Sequence, residues 1–304
     1  MNIMETAVIM QRELDKAAEQ QLMTGWMEAN ASNAKYAGGN DIRIPILTMD
    51  GMADYDRTEG FNRGAVNLRY QTKEMTQDRG RSFMLDSMDI DDSGFAASAS
   101  AVAGEFQRLH VVPEIDAYRI SKLYAYADTR KRTLAVTESN VLRELGKDVD
   151  TVREKMGSAT PIRIHMSFHI WSILKNTEKL MRMLDVTDFA RGDIMTKVRS
   201  LDGDPILVMN SDRMKTGYDF FKGLADSATD KKAGGFAPKA DAATLNWLIV
   251  AANSPIAVSK TDKVRIFEPV VNQGADAWKV DYRTYHDLWV TENKLDGLFA
   301  NVAP

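Results

Sequence analysis

The stretch MADYDRTEGFNRGAVNLRYQTKEMTQDRGR, residues 52–81, combines the side-chain alternation of a β-strand with a high density of charge. Gly60 and Gly64 flank a short turn, where a chain that needs positive φ favours glycine. Beyond the turn, successive side chains point to opposite sides of an extended backbone. The apolar side holds Val66, Leu68 and Tyr70, and the polar side holds Asn67, Arg69, Gln71 and Lys73. The pattern predicts two strands joined by a turn.

The ribbon predicted over residues 41–86 is long and polar. Each arm could reach ~50–60 Å at a rise of ~3.3 Å per strand residue. A two-stranded ribbon on its own is marginally stable in water. Because regular alternation argues against disorder, we expect the ribbon to lie on a partner surface.

Two further elements are unusually long. Residues 94–126 carry a helical stripe that would span ~50 Å at ~1.5 Å per residue, and Pro113 is expected to bend or split this helix. Residues 278–290 alternate over thirteen positions, which predicts one strand of ~43 Å where ~5–6 residues are common. Elements of this length indicate a plate or wedge.

The rest of the chain reads as a mixture of helices and strands. Apolar spacing predicts an N-terminal helix over residues 5–30, and the alternating Ile42, Ile44 and Ile46 predict a strand in which Pro45 favours an edge position. Residues 133–264 read as a mixed α+β domain. Its predicted elements are helices at 141–156 and 168–183, strands at 160–167 and 245–250, two short strands around Asp202-Gly203, and a flexible loop at 229–238.

Composition limits the classes of function. The chain has 304 residues, a net charge of −4 and no cysteine, which excludes disulfides, thiolate catalysis and cysteine metal sites. Its length fits roughly two domains. It contains no run near the ~18 apolar residues of a membrane span and no secretory signal pattern. A dedicated duplex-binding protein would carry a concentrated basic surface, which this acidic chain lacks.

A search for catalytic motifs predicts no enzyme. Phosphate-loop, dinucleotide-binding, zinc-protease and nucleophile-elbow motifs are absent from the sequence. Residues 89–94 imitate the start of a calcium loop, but Ser100 stands where a bidentate Glu is required. His165 and His169 are four residues apart, yet the predicted strand ends between them. We predict no catalytic residue, metal or cofactor, and keep a soluble enzyme and a monomeric binding module as minor alternatives.

Several separated blocks carry a family resemblance that covers residue 40 to the end. They are IRIPILTMDGMADYDR (42–57), YQTKEMTQDRGRSFMLDSMDIDDSG (70–94), AGEFQRLHVVPEIDAYRISKLYA (103–125) and DKVRIFEPVVNQGADAWKVDYRTYHDLWVTENKLDGLFANV (262–302). The sequence resembles the major capsid proteins of tailed bacteriophages, particularly those of Gram-positive hosts. That α+β fold is shared with encapsulins and with the floor of herpesvirus capsids.

The resemblance implies a division of the chain. Residues 1–40 would be an N-terminal arm and 41–86 the extended β-hairpin loop. Residues 87–132 with 264–290 would form the peripheral domain, which contains the long spine helix with strand 278–290 beside it. Residues 133–263 with 291–304 would form the axial domain.

The resemblance also implies a function. The chain would self-assemble into pentamers and hexamers of an icosahedral head around double-stranded DNA, as a virion component assembled in the bacterial cytoplasm without a membrane; an encapsulin-like compartment is the alternative. The loop would reach the next subunit, and the candidate inter-subunit residues are Arg57, Glu59, Arg63, Arg69, Lys73, Asp78, Arg79 and Arg81.

Two features bear on the partners that the resemblance implies. Lys73 is the only lysine of the ribbon and lies away from its tip, so we expect no isopeptide cross-link. The roughly 40 residues before the first strand are too few for a built-in scaffold. We therefore expect a separate scaffolding protein, together with a portal.

Overall fold

The computed structural model describes residues 22–33, 35–38, 41–55, 57–58, 60–88, 99–177, 184–191, 194–227 and 230–304. The first part of the predicted N-terminal helix, the calcium-like stretch 89–94 and the predicted start of the long helix lie outside these residues.

A long helix runs through residues 99–127 in three consecutive parts. These are helix α1 (Ala99–Phe106), a π-helical turn (Gln107–Val111) and helix α2 (Val112–Ala127). Within the turn, the Val112 N–H donates to the carbonyl of Gln107, five residues back. Pro113 follows directly; its ring has no N–H and clashes with a regular α-helical turn before it. The proline therefore changes the helix type without ending the helix.

A three-stranded antiparallel sheet packs against this helix. Its order is β13-β14-β4, with β4 at Gln77–Asp86, β13 at Pro255–Phe267 and β14 at Ala277–Val290. The long strand predicted at 278–290 is thus confirmed. Tyr282 packs with Val111 and Ile115 of the helix, while Val280 packs with Ala103.

A seven-stranded mixed sheet forms the second body. Its order is β5-β15-β12-β6-β9-β8-β7. The strands are β5 (Lys131–Thr133), β6 (Ile162–Ser167), β7 (Leu184–Arg191), β8 (Ile194–Leu201), β9 (Asp204–Met209), β12 (Leu245–Ala251) and β15 (Leu298–Val302). Strands β10 (Tyr218–Phe220) and β11 (Phe236–Pro238) form a separate pair.

Both faces of strand β12 are covered, which explains its continuous apolar run. Leu248 and Val250 lie in the core shared with the long helix, whereas Trp247 and Ile249 lie in the core under helices α3 (Val141–Met156) and α4 (Phe168–Lys175). Helix α3 and the buried strand match their predictions. Helix α4 starts where predicted but ends at Lys175 instead of residue 183. The turn between β8 and β9 has positive φ at Asp202 and Gly203, as expected of a tight turn.

The first described segment of the chain forms a 3₁₀-helix over Gly25–Asn33, where an α-helix was predicted. Distant groups hold this segment to the rest of the chain. The Thr24 hydroxyl, just before the helix, donates to the buried Asp116 carboxylate at 2.8 Å, and the Asn30 amide within the helix donates to the carbonyls of Ala252 and Pro255.

A second three-stranded sheet has the order β1-β2-β3, with β1 at Lys35–Gly38, β2 at Asp41–Met49 and β3 at Val66–Glu74. Strand β1 pairs with β2 only over residues 41–43. Pro45 therefore lies where β2 has one neighbour, which agrees with the predicted edge position. Among the helices described, none is long and apolar enough to cross a membrane.

Candidate functional site

The β2–β3 hairpin presents an uncovered apolar face. Residues directly opposite in an antiparallel pair point to the same side of the sheet. The register therefore places one set of apolar side chains together, defined here as the free face: Pro45 with Tyr70, Leu47 with Leu68, and Met49 with Val66. Five of these six side chains are 49–67% exposed.

The opposite face of the hairpin anchors it to its own chain. Ile42 and Ile44 are buried against Ile256 and Val258 of β13 and against Trp289 of β14. Farther along the same hairpin, two polar side chains, Arg69 and Gln71, donate to the Glu292 carboxylate at 2.9 and 3.2 Å. The base of the ribbon thus rests on its own subunit, and the free face is left without a partner in the described part of the chain.

The described residues of the hairpin tip contact one another. The Ala65 N–H donates to the Asp50 carboxylate at 2.7 Å, and the Asn62 amide donates to the carbonyl of Asp54 at 2.8 Å. The rings of Tyr55 and Phe61 meet edge to face with centroids 4.9 Å apart, although both side chains are exposed. Of the two turn glycines, Gly60 takes the positive φ, at 87°.

Of the eight predicted contact residues, several already have partners within the chain. Arg69 pairs with Glu292 at 2.9 Å, Asp78 with Arg283 at 2.5 Å and Arg79 with Glu114 at 2.6 Å, while Arg81 donates to the carbonyl of Lys232 at 3.3 Å. Arg57 and Arg63 are exposed, Lys73 is half-buried on β3, and Glu59 lies outside the described residues. A role between subunits stays a prediction for all eight.

The predicted ribbon 41–86 divides in two. Its second part, β4, pairs with β14 over Gln77–Asp86 and belongs to the sheet beside the long helix. The break between β3 and β4 is held by Asp287, which accepts from the Thr76 N–H at 2.9 Å and from the Tyr118 hydroxyl at 2.7 Å. Lys122 also contacts this buried carboxylate. Burial alone would raise the pKa of Asp287, but Lys122 and the hydrogen bonds lower it below its ordinary value.

The histidines lie on separate elements. His165 is buried on β6 and stacks on Trp26 with ring centroids 6.0 Å apart, while His169 is exposed on α4. His286 is buried on β14, and its burial, reinforced by nearby cations such as Arg119, lowers its pKa to about 3. Within the described ranges no group of three or more His, Cys, Asp or Glu is placed to hold a metal ion.

The architecture matches that of solved phage capsid proteins. The cyanophage P-SCSP1u capsid aligns with a TM-score of 0.59 at 9% identity, covering 89% of this chain and 85% of that one. The mature capsid of bacteriophage PhiM1 aligns at 0.55 and 13%, covering 87% and 82%. The capsid of Staphylococcus phage Andhra aligns at 0.51 and 14%, covering 89% and 82%.

These matches define the class of fold. The chain has the fold of phage major capsid proteins, so the fold inferred from the sequence blocks is confirmed. No family model matches the chain, and no curated protein matches it.

Proposed function

We propose that this protein is the major subunit of a phage head, an icosahedral shell assembled from pentamers and hexamers around double-stranded DNA. The observation that carries the proposal is the free face of the hairpin. One face of the hairpin packs on its own subunit, and the other face is apolar and exposed. An exposed apolar surface of this kind marks an interaction site for a second molecule.

A repeated copy of the same chain is the simplest partner for this face. Contacts between two different patches of identical subunits generate rings when the rotation closes. A hairpin on one subunit that lies on the body of the next makes such a contact. The phage capsid fold supports this arrangement, because the matched proteins are shell components.

The apolar side chains of the free face indicate that hydrophobic burial contributes more than ion pairs to the contact between subunits. Exposed ion pairs are worth only ~0–1 kcal/mol each. Several of the charged residues predicted to contact a neighbouring subunit already form salt bridges within their own chain. Burial of a Leu, Val or Met side chain is worth ~1.5–3 kcal/mol. We infer that burial of apolar side chains supplies most of the free energy of contact between subunits. The charged side chains of the hairpin then help to align it on the neighbouring subunit.

Assembly of the purified protein tests the proposal. Size-exclusion chromatography with negative-stain microscopy should show shells, capsomers or tubes, and deletion of residues 56–64 should leave the body folded but impair assembly. A protein that stays monomeric at every concentration and ionic strength, with and without co-expressed head proteins, would contradict the proposal. Nuclease-protected duplex DNA inside particles distinguishes a phage head from an encapsulin-like compartment, which would hold a protein cargo.

We further propose a separate scaffolding protein and no enzymatic activity of the subunit. The subunit expressed alone should give irregular products. Uniform closed shells of one size from the chain alone would argue against a separate scaffold.

A further inference from the structure

A cavity of about 410 Å³ lies between strand β4, the long helix and the loop 221–235. This volume is within the range of about 300–1,000 Å³ that ligand pockets occupy. Part of its wall is aromatic, because Phe106 meets Phe83 edge to face with ring centroids 4.9 Å apart and meets Tyr282 at 5.7 Å. The cavity therefore offers ring edges and faces to an aromatic guest.

The exposed part of the wall carries positive charge. Arg81 and Lys222 both line the cavity and are exposed, and neither has a carboxylate partner in the described part of the chain. Arg79, which also lines the cavity, is instead paired with Glu114 at 2.6 Å. The two unpaired cations favour a guest that carries a negative charge.

The loop 221–235 holds Arg81 in place at the cavity. The guanidinium donates to the carbonyl of Lys232 at 3.3 and 3.4 Å. Gly223 and Gly234 have positive φ, and a Cβ on them would lie 3.2 and 3.4 Å from Nη1 of Arg81. Glycine at both positions therefore lets the loop approach the arginine closely. Because a guanidinium has five N–H donors, Arg81 keeps the capacity to bind a guest as well.

One buried polar atom in the wall lacks a partner. His286 is 2% exposed, lines the cavity, and has no hydrogen bond to Nδ1 among the groups described. Its burial, together with nearby cations such as Arg119, lowers its pKa to about 3, so the imidazole is neutral near pH 7. A neutral imidazole donates from one ring nitrogen and accepts at the other, and a buried polar atom without a partner costs free energy. A guest with a hydroxyl, carbonyl or N–H group would satisfy this atom.

We propose that this cavity is a binding site for a small aromatic anion. Its ring packs on Phe83 and Phe106, which removes apolar surface from water on both sides. Its anionic group pairs with Arg81 and Lys222 through charge-assisted hydrogen bonds. A further polar group on the guest bonds to Nδ1 of His286.

Two sources supply this chemistry, and titration calorimetry of the full unassembled chain distinguishes them. The probes are thymidine 5′-monophosphate, a nucleotide, and 4-hydroxyphenylacetate, a hydroxylated aromatic carboxylate. We expect at least one of them to saturate a single site with a dissociation constant below ~1 mM, and the tighter probe identifies the source. Failure of both probes to saturate a site at concentrations of ~10 mM overturns the proposal.

Matched ligands test whether the ring and the charge are both needed. Thymidine and 4-hydroxyphenylethanol keep the rings of the two probes without the negative charge, and inorganic phosphate supplies a negative charge without a ring. Each should bind ~10-fold more weakly than the matching probe, or not at all, because one of the two interactions is missing. Equal affinity for a probe and its neutral counterpart, or for a probe and phosphate, overturns the proposal.

Matched variants test whether binding occurs in this cavity. Lys222→Gln changes an exposed side chain in the cavity wall and should raise the dissociation constant ~10-fold. Lys263→Gln removes the same charge from an exposed position on β13 that does not line the cavity, and should leave the constant unchanged. Equal effects of the two variants would place the binding elsewhere and overturn the proposal. Because all of these measurements use the unassembled chain, their outcome is independent of the proposed shell function.

Discussion

Weakening the free face should weaken assembly without unfolding the subunit. Leu47 and Leu68 are directly paired and are 50% and 55% exposed, so each has about half of its side chain left to bury. Full burial of a Leu is worth ~1.5–3 kcal/mol, so burial of the remaining halves contributes about 1.5–3 kcal/mol for the pair. The double variant Leu47→Thr/Leu68→Thr keeps two residues that suit strands and removes most of this contribution.

The magnitude translates into a measurable shift. Since ~1.4 kcal/mol is a factor of ten in an equilibrium constant, the protein concentration at which assembly begins should rise roughly 10- to 100-fold. Light scattering across a concentration series measures that threshold. Asn67→Thr, on the opposite face of the same hairpin, is the matched control and should leave the threshold unchanged.

The reasoning would be refuted by a double variant that remains folded and assembles at the wild-type threshold. Urea denaturation of the unassembled subunit supplies the check on folding. Because both leucines are already half exposed, we expect the free energy of unfolding to change by less than ~1.5 kcal/mol.

Three further predictions concern the body of the subunit. Gly80→Ala places a Cβ 2.7 Å from a backbone oxygen of β14 and should lower the free energy of unfolding by ~1–3 kcal/mol. The control Gly51→Ala, whose Cβ would have no atom within 4 Å, should leave the free energy of unfolding unchanged. Equal urea midpoints for the two variants would contradict this prediction. Lys122→Met leaves the buried Asp287 carboxylate without its cation and should cost ~3–5 kcal/mol in the same assay, and a loss below 1 kcal/mol would argue against the pair. His286 has a pKa of about 3 when folded and ~6.5 when unfolded, so its contribution to stability is complete above pH 6.5 and is lost as pH falls toward 3, at ~1.4 kcal/mol per pH unit. His286→Gln should flatten that slope in denaturation measured at several pH values; an unchanged slope would mean that other groups cause it.

Local patterns predicted much of the fold. The alternation in residues 278–290 depends only on the two-residue period of a strand, and it corresponds to β14 almost residue for residue. Helix α3 follows from the 3.6-residue period in the same way. Helix α4 ends at Lys175, before the predicted end, and the segment Gly25–Asn33 is a 3₁₀-helix where an α-helix was predicted; element ends and helix type depend only weakly on local preference.

The candidate site was predicted in outline only. The apolar side chains after Gly64 are visible in the sequence, but their role as a free face depends on the register that pairs Leu68 with Leu47 across a long turn. Some of the candidate contact charges have partners within the subunit that are distant in the chain. Asp78 and Arg283 are separated by 205 positions. No local signal reveals such a pair.

By itself, the sequence determined the long helix, the long strand and the alternating hairpin, because the periods of helices and strands are encoded in short windows. The fold class followed from the resemblance of separated sequence blocks to a known family. Only the tertiary structure decided which face of the hairpin packs on its own subunit and which charged side chains form salt bridges within the chain. The physical reason is that burial and pairing are properties of surfaces brought together from distant positions. The face that the subunit leaves uncovered is known only after all the other faces have been covered.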